Sequence, residues 1–234
     1  MNDVPSAAGE PPYGSPRDDG WVEFSVGDAL GFGWSRFWAN PLPWLGLVVA
    51  FLAISIAVEF IVNGFELEID DVTEPVGFSG AALLGSILSG IVTVLMTAVL
   101  TKAALDETYG HKATIGGALD VRNVMALLLA SVIVGVLTAV GLLLFIIPGL
   151  VVMFLTYYAI AFVLDKNHDA ITAIKASASL VSANVGRLLP LALAVVGINI
   201  VGALVFLVGL LITIPITTLA TTHAFRTVQG ERVA

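Results

Sequence analysis

His111 lies close in sequence to Asp106 and Glu107, and His168 lies between Asp165 and Asp169. Imidazoles among carboxylates are the residue types that hold a hard metal ion or act on a polar headgroup. Neither spacing matches a metal-ligand pattern, and both groups fall in short polar connections where solvated side chains are the simpler reading. No metal, cofactor or catalytic residue is assigned on this basis. The chain has no glycine-rich phosphate loop, no HExxH and no GxSxG elbow. It has no cysteine, which removes disulfides and thiolate metal sites. The polar connections run to roughly 20 residues each, too short for a core of their own. A non-enzymatic protein is therefore expected.

The remaining polar chemistry lies inside apolar stretches. Glu59 is the one acid there, near the end of its stretch with Asn63 a turn further on, and reads as interfacial. A carboxylate at a helix centre would instead cost about 2.5–3.5 kcal/mol on insertion, which would point to ion coupling. Asn199 reads as a buried hydrogen-bonding amide, and His223 as a hydrogen-bonding partner of a neighbouring helix. Ala81, Gly85, Ser89, Thr93, Thr97 and Thr101 recur at every fourth residue, and Ser131, Gly135 and Ala139 repeat the spacing. Small residues let backbones approach closely where lipid supplies little hydrophobic drive, so both rows read as helix-packing seams. The alternative is a polar path along Thr93, Thr97 and Thr101.

The elements that carry these residues are membrane spans. The chain is 58% hydrophobic and only 12% charged, against about 25% charged in soluble domains. Apolar stretches of near 20 residues run from Leu42 to Asn63, Ser79 to Thr101, Val124 to Leu143, Ile147 to Leu164, Leu188 to Leu207, and Leu210 to Phe225. Gly141 with Pro148, and Gly209 with Pro215, mark breaks that turn the last four into two hairpins. All ten basic residues then fall on one side, from Arg17 and Arg36 to Arg226 and Arg232. The connection Phe65 to Gly77 on the other side has no Lys or Arg but carries Glu66, Glu68, Asp70, Asp71 and Glu74. Basic residues mark the cytoplasmic side, so a multi-pass protein of the bacterial plasma membrane with both termini in the cytoplasm is expected. The basic residues are spread and balanced by acids, which speaks against nucleic acid as a partner. Positions 1–20 are Pro/Gly-rich and acidic, unlike a cleavable signal peptide.

A threefold repeat underlies the pattern. Ser25-Val26-Gly27-Asp28-Ala29-Leu30 resembles Thr114-Ile115-Gly116-Gly117-Ala118-Leu119. Thr172-Ala173-Ile174 and Ala183-Asn184 match Asp28-Ala29-Leu30 and Ala39-Asn40 at a constant offset of 144. Each unit reads as a short cytoplasmic helix followed by a hairpin. The expected fold is all-α, with a disordered tail over 1–24, units at 25–101, 102–168 and 169–228, and a second tail over 229–234. Ser25 and Asp169 are expected N-caps. Trp34, Phe37 and Trp38 recur at three- and four-residue spacing, as interfacial anchors do.

From Thr114 to Val228 the chain resembles a group of bacterial membrane-protein families that includes the membrane domain attached to some glycerophosphoryl diester phosphodiesterases. The resemblance rests on the small-residue helix Ala170-Ile171-Thr172-Ala173-Ile174-Lys175-Ala176-Ser177, on the Ile147-Pro148-Gly149 break and on Asn184-Val185-Gly186-Arg187-Leu188-Leu189. The phosphodiesterase barrel is absent, so the resemblance implies topology and no activity. An accessory or scaffold subunit of a larger membrane assembly is expected, with the lipid bilayer and other membrane-protein subunits as partners. A small transporter or lipid-handling protein is the alternative, which a cavity reaching the threonine row or Glu59 would favour.

Overall fold

The computed structural model describes residues 24–63, 80–205 and 208–234. Among these every regular element is a helix: α1 (Val26–Ala39), α2 (Pro41–Asn63), α3 (Gly80–Thr108), α4 (Ile115–Ala118), α5 (Val124–Leu144), α6 (Ile146–Leu155), α7 (Ala159–Lys166), α8 (Ala170–Ala183), α9 (Val185–Leu204) and α10 (Leu210–Thr227). Five stretches are long and apolar enough to cross a bilayer: Pro41–Ile61, Leu83–Thr108, Val124–Leu144, Ile146–Lys166 and Val185–Leu204. The protein is thus a polytopic helical membrane protein. The sixth expected stretch forms α10, which carries six threonines, His223 and Arg226 and does not join those five. The N-terminal tail as far as Glu23 and the connection Phe65 to Gly77 lie outside the described residues.

Local chemistry sets the boundaries. Ser25 caps α1 by accepting the Asp28 N–H at 3.4 Å, and Asp169 caps α8 by accepting those of Ile171 and Thr172 at 3.0 and 3.2 Å. Pro41 ends α1, because the residue before a proline is pushed out of helical conformation, and it opens α2 at a position that needs no N–H. The first break falls at extended Phe145, with Pro148 in the opening turn of α6, where its missing N–H costs nothing. The second falls ahead of α10, and Pro215 sits inside that helix rather than at a break. Threonine side chains and neighbouring helices make such an internal proline tolerable in lipid. Helix α3 continues past the expected end at Thr101, so Lys102 is helical and pairs with Asp106 one turn on.

Glycine pairs close the two described hairpins. A Cβ on Gly141 would sit 2.8 Å from the Gly149 Cα, and one on Gly209 would sit 2.7 Å from the Gly202 Cα. Both contacts are backbone to backbone, so no side chain can be accommodated.

Helix α10 lies at the centre, packed against α1, α2, α3 and α9. Its Phe225 also meets the Phe162 ring of α7 at 4.9 Å and the Tyr158 ring at 5.5 Å. Helices α3, α7 and α10 form an inner set. Helix α2 packs on α3, α5 on α6 and α7, and α9 on α10. The short helices bridge between hairpins: α1 packs on α10, α4 on α3 and α8 on α7. Helices α1 and α8 are both 14 residues long, with bounds that differ by 144 at either end. Equivalent positions are buried in each: Ala29 and Ala173, Gly33 and Ser177, Phe37 and Val181. The core sits at the end where α3, α7 and α10 terminate among charged residues. Leu84, Ile87, Val132, Val136, Leu193 and Ile200 are exposed further along the helices, as apolar side chains facing lipid are.

Candidate functional site

Where α3, α10 and the break between α6 and α7 converge, they enclose a cavity of about 190 Å³. Helix α3 contributes Thr97 and Thr101, α10 contributes Thr218, Thr221 and Thr222, and the break contributes Tyr157 and Tyr158. Leu100, Ile160 and Ile214 form apolar parts of the wall. Among the described residues, no charged side chain lines it. Thr97 and Tyr157 are exposed as well as lining, so the cavity opens sideways between α3 and the α6–α7 break.

The break is held by a side chain from α8. The Ser177 hydroxyl accepts the Tyr158 N–H at 3.0 Å and donates to the Leu155 carbonyl at 2.8 Å. Those backbone groups lose helical partners at the break, and buried backbone groups must be satisfied somewhere. The threonines settle their own donors locally. Thr97 donates to the Thr93 carbonyl at 2.8 Å, Thr218 to Ile214 at 2.8 Å and Thr221 to Thr217 at 2.9 Å. With the protons directed into the helices, these oxygens can offer the cavity only lone pairs. Such a lining can accept hydrogen bonds at its threonines and donate them from the Tyr157 and Tyr158 phenols, but among the described residues it includes no carboxylate or imidazole for general acid–base work.

One turn beyond Thr222 a charged cluster closes that end of the bundle. Arg226, only 6% exposed, donates to the Thr108 carbonyl at 2.9 Å, pairs with Glu231 at 2.9 Å and lies 3.8 Å above the Tyr109 ring. Lys166 bridges Glu231 and Asp165, and the Tyr109 hydroxyl donates to Asp165 at 2.7 Å. Burial and the adjoining Asp165 carboxylate push the Tyr109 phenol up from its ordinary value. Burial raises Glu231, but hydrogen bonds and charge from Lys166 and Arg226 outweigh that and hold its carboxyl below the ordinary range. Buried Glu107 accepts the Ala113 N–H at 2.9 Å and faces Arg36 at 4.0 Å. These pairings tie the ends of α3, α7 and α10 to the segment after α10.

The sequence-predicted residues separate across this frame. Thr97 and Thr101 reach the cavity, whereas Thr93 is exposed and donates to the Ser89 carbonyl. Gly85 and Ser89 are half-buried, and the side chain of Ala81 lies outside the described residues. On α5, Ser131 is half-buried, Ala139 is exposed and a Cβ on Gly135 would meet nothing within 4 Å. Close approaches are seen at the hairpin glycines and at Gly33, whose Cβ would strike the backbone of Ile216 and Ala220. Glu59 is exposed near the end of α2. Asn199 donates to the Thr217 hydroxyl at 3.2 Å, joining α9 to α10. Trp34 and Trp38 are exposed and meet edge to face, but Phe37 turns inward into the core beside Trp44. His223 meets α1 through the Phe32 ring at 4.8 Å, where a hydrogen bond was expected. His168 stacks on Phe162, and His111 is exposed. Among the described residues no three His, Asp or Glu side chains converge on a common point. Sequence reasoning missed Tyr157, Tyr158 and the threonines of α10. The usable signal was the density of hydroxyls in α10 and the tyrosine pair inside an apolar stretch.

Relatives with the same span of chain exist in mycobacteria. The uncharacterised proteins Mb2590 of Mycobacterium bovis and Rv2560 of Mycobacterium tuberculosis are each 30% identical to this chain over 246 aligned residues. The alignments cover 96% of this chain and 75% of each relative. The chain belongs to their family. No family model matches it, and no solved structure does.

Proposed function

We propose that this member of the mycobacterial family is a non-catalytic, lipid-handling protein of the bacterial plasma membrane. In this reading it has six spans, three repeats of a short interfacial helix with a hairpin, and both termini in the cytoplasm. The observation that carries the functional part is the cavity: it is uncharged, hydroxyl-lined and open to the side, and it reaches the threonine row at Thr97 and Thr101. The matched lengths and burial of α1 and α8 support the repeat. The one-sided distribution of the ten basic residues supports the orientation. Kinship with the membrane domain attached to some glycerophosphoryl diester phosphodiesterases belongs to the same proposal, on the strength of the small-residue helix α8, the Ile147-Pro148-Gly149 break and the Asn184-Val185-Gly186-Arg187-Leu188-Leu189 segment.

The test is native mass spectrometry of the protein released from bilayer nanodiscs. The wild type is expected to retain one amphiphile per chain. Thr218→Leu, which fills the cavity from α10, is expected to lose it while keeping its thermal midpoint. Equal retention by both proteins would place lipid binding elsewhere and refute the cavity reading. An accessory or scaffold role is the second reading, favoured by the exposed Trp34–Trp38 pair on α1. It predicts that Trp34→Ala with Trp38→Ala releases a copurifying membrane subunit and leaves lipid retention untouched.

A further inference from the structure

The depth and chemistry of the cavity narrow what it holds. Lys102 on α3, Lys166 on α7 and Arg226 on α10 mark the level where the inner helices leave the apolar layer. Thr101 directly precedes Lys102, Thr222 lies one turn before Arg226, and Ala161 lies five residues before Lys166. At about 1.5 Å per residue, these lining residues sit roughly 2–8 Å inside that level, near the boundary of hydrocarbon and headgroups. A lipid presents its glyceryl carbons at this boundary. A cavity of about 150 Å³ takes a molecule the size of benzene, so a volume of about 190 Å³ has room for a small head.

Charge decides the class of head. The Thr97, Thr218 and Thr221 oxygens have spent their protons on helix carbonyls, so they welcome a donor and give an ionised phosphate nothing, which leaves it only uncharged hydroxyls such as the Tyr157 and Tyr158 phenols. Among the described residues no Lys or Arg reaches the cavity to reverse that preference, since Arg226 and Lys166 are engaged by Glu231 and Asp165 one turn away. No carboxylate lines it to compensate a cation, and an uncompensated charge at this depth is expensive. An uncharged head that donates from a free hydroxyl fits both limits. The sideways opening at the exposed Thr97 and Tyr157 lets its chains stay in the bilayer.

We infer that the cavity among α3, α7 and α10 binds the hydroxyl head of a neutral glyceryl amphiphile of the diacylglycerol class and discriminates against phosphate-bearing lipids. This rests on the lipid-handling reading and adds the identity of the head. The experiment measures 1:1 retention of added probes by the full chain in nanodiscs of phosphatidylcholine: dioleoylglycerol, dioleoyl phosphatidic acid and free glycerol. Dioleoylglycerol is expected to bind at least about tenfold more tightly than phosphatidic acid, on the scale of one hydrogen bond left unmade in a buried site, and at least about tenfold more tightly than free glycerol, which has no chains to hold it in the bilayer. Thr222→Val, which keeps the shape and removes a hydroxyl, is expected to weaken it several-fold, and Thr222→Ser to restore it. Phosphatidic acid bound as tightly as dioleoylglycerol would overturn the neutral-head inference and leave lipid handling standing. Free glycerol bound as tightly would overturn the amphiphile. A wild type that retains no lipid of any kind would overturn the inference together with the reading beneath it. Equal binding by Thr222→Val and wild type would overturn the placement at this cavity.

Discussion

Replacing Gly33 by alanine sets a methyl group against backbone that has no room to move. Its Cβ would collide with the Ile216 carbonyl oxygen and lie 3.2 Å from the Ala220 nitrogen, both on α10. Helix α10 is held by α2, α3 and α9 as well as α1, so it cannot retreat without disturbing three further interfaces. Overpacking of this kind costs about 1–3 kcal/mol. A helix gains roughly 0.5–1 kcal/mol when glycine becomes alanine, which offsets part of the cost. Gly31 supplies the control: it lies on the same helix, two residues away, and a Cβ there meets nothing within 4 Å. Gly31→Ala should therefore raise the midpoint of thermal denaturation in mild detergent, by roughly 1–4 °C at about 2–4 °C per kcal/mol. Gly33→Ala should lower it by a few degrees, and Gly33→Val by more. Two alanine variants that shift in the same direction would refute the claim that α1 docks on α10 through this glycine.

Four other outcomes are expected. Ser177→Ala leaves the Tyr158 N–H and the Leu155 carbonyl without their partner and should cost about 1–3 kcal/mol in the same thermal assay, where an unchanged midpoint would count against its role at the break. Glu231 has a folded-state pKa below its unfolded value, so its contribution is complete above about pH 4.3 and is lost as pH falls through the lowered value. Thermal midpoints followed from pH 7 to pH 3 should therefore fall less steeply for Glu231→Gln than for the wild type, and parallel curves would contradict the pairing with Lys166 and Arg226. In this cysteine-free chain, Glu68→Cys should label with an impermeant thiol reagent from outside intact cells and His111→Cys should not. Equal labelling would reverse the proposed orientation. Glu59→Gln should leave abundance and lipid retention unchanged, and loss of an ion-driven flux with abundance intact would assign that carboxylate a coupling role.

Hydropathy located four of the five apolar helices to within about three residues and the other, Leu83–Thr108, seven residues short at its end, because length and apolar composition are what crossing a bilayer demands. The same measure ranks α10 last, and yet α10 is the helix at the centre. The inversion has a physical cause. Lipid is as apolar as leucine, so leucine gains little by turning inward, whereas a helix of small hydroxyl residues lets neighbours approach closely. Thr217, Thr221 and Thr222 are buried accordingly, and none of the large apolar residues of α10 is exposed.

The threonine row on α3 shows the opposite difficulty, a pattern that is visible in sequence but whose face is not. A strict four-residue spacing advances about 400° at roughly 100° per residue, so the row winds by about 40° at each step. From Gly85 to Thr101 it sweeps nearly half the helix circumference, leaving Gly85 half-buried, Thr93 exposed and Thr101 at the cavity. A row that winds in this way meets different neighbours along its length, and at Thr97 and Thr101 it crosses the rim of a cavity formed with other helices. What completes that cavity is the bend at Tyr157 and Tyr158, fixed by a serine on α8, a helix that lies after the bend in the chain. Sequence spacing within α3 carries no trace of that serine. The site is therefore a property of three helices meeting, and filling it from α10 at Thr218 tests the same hollow that the row on α3 only borders.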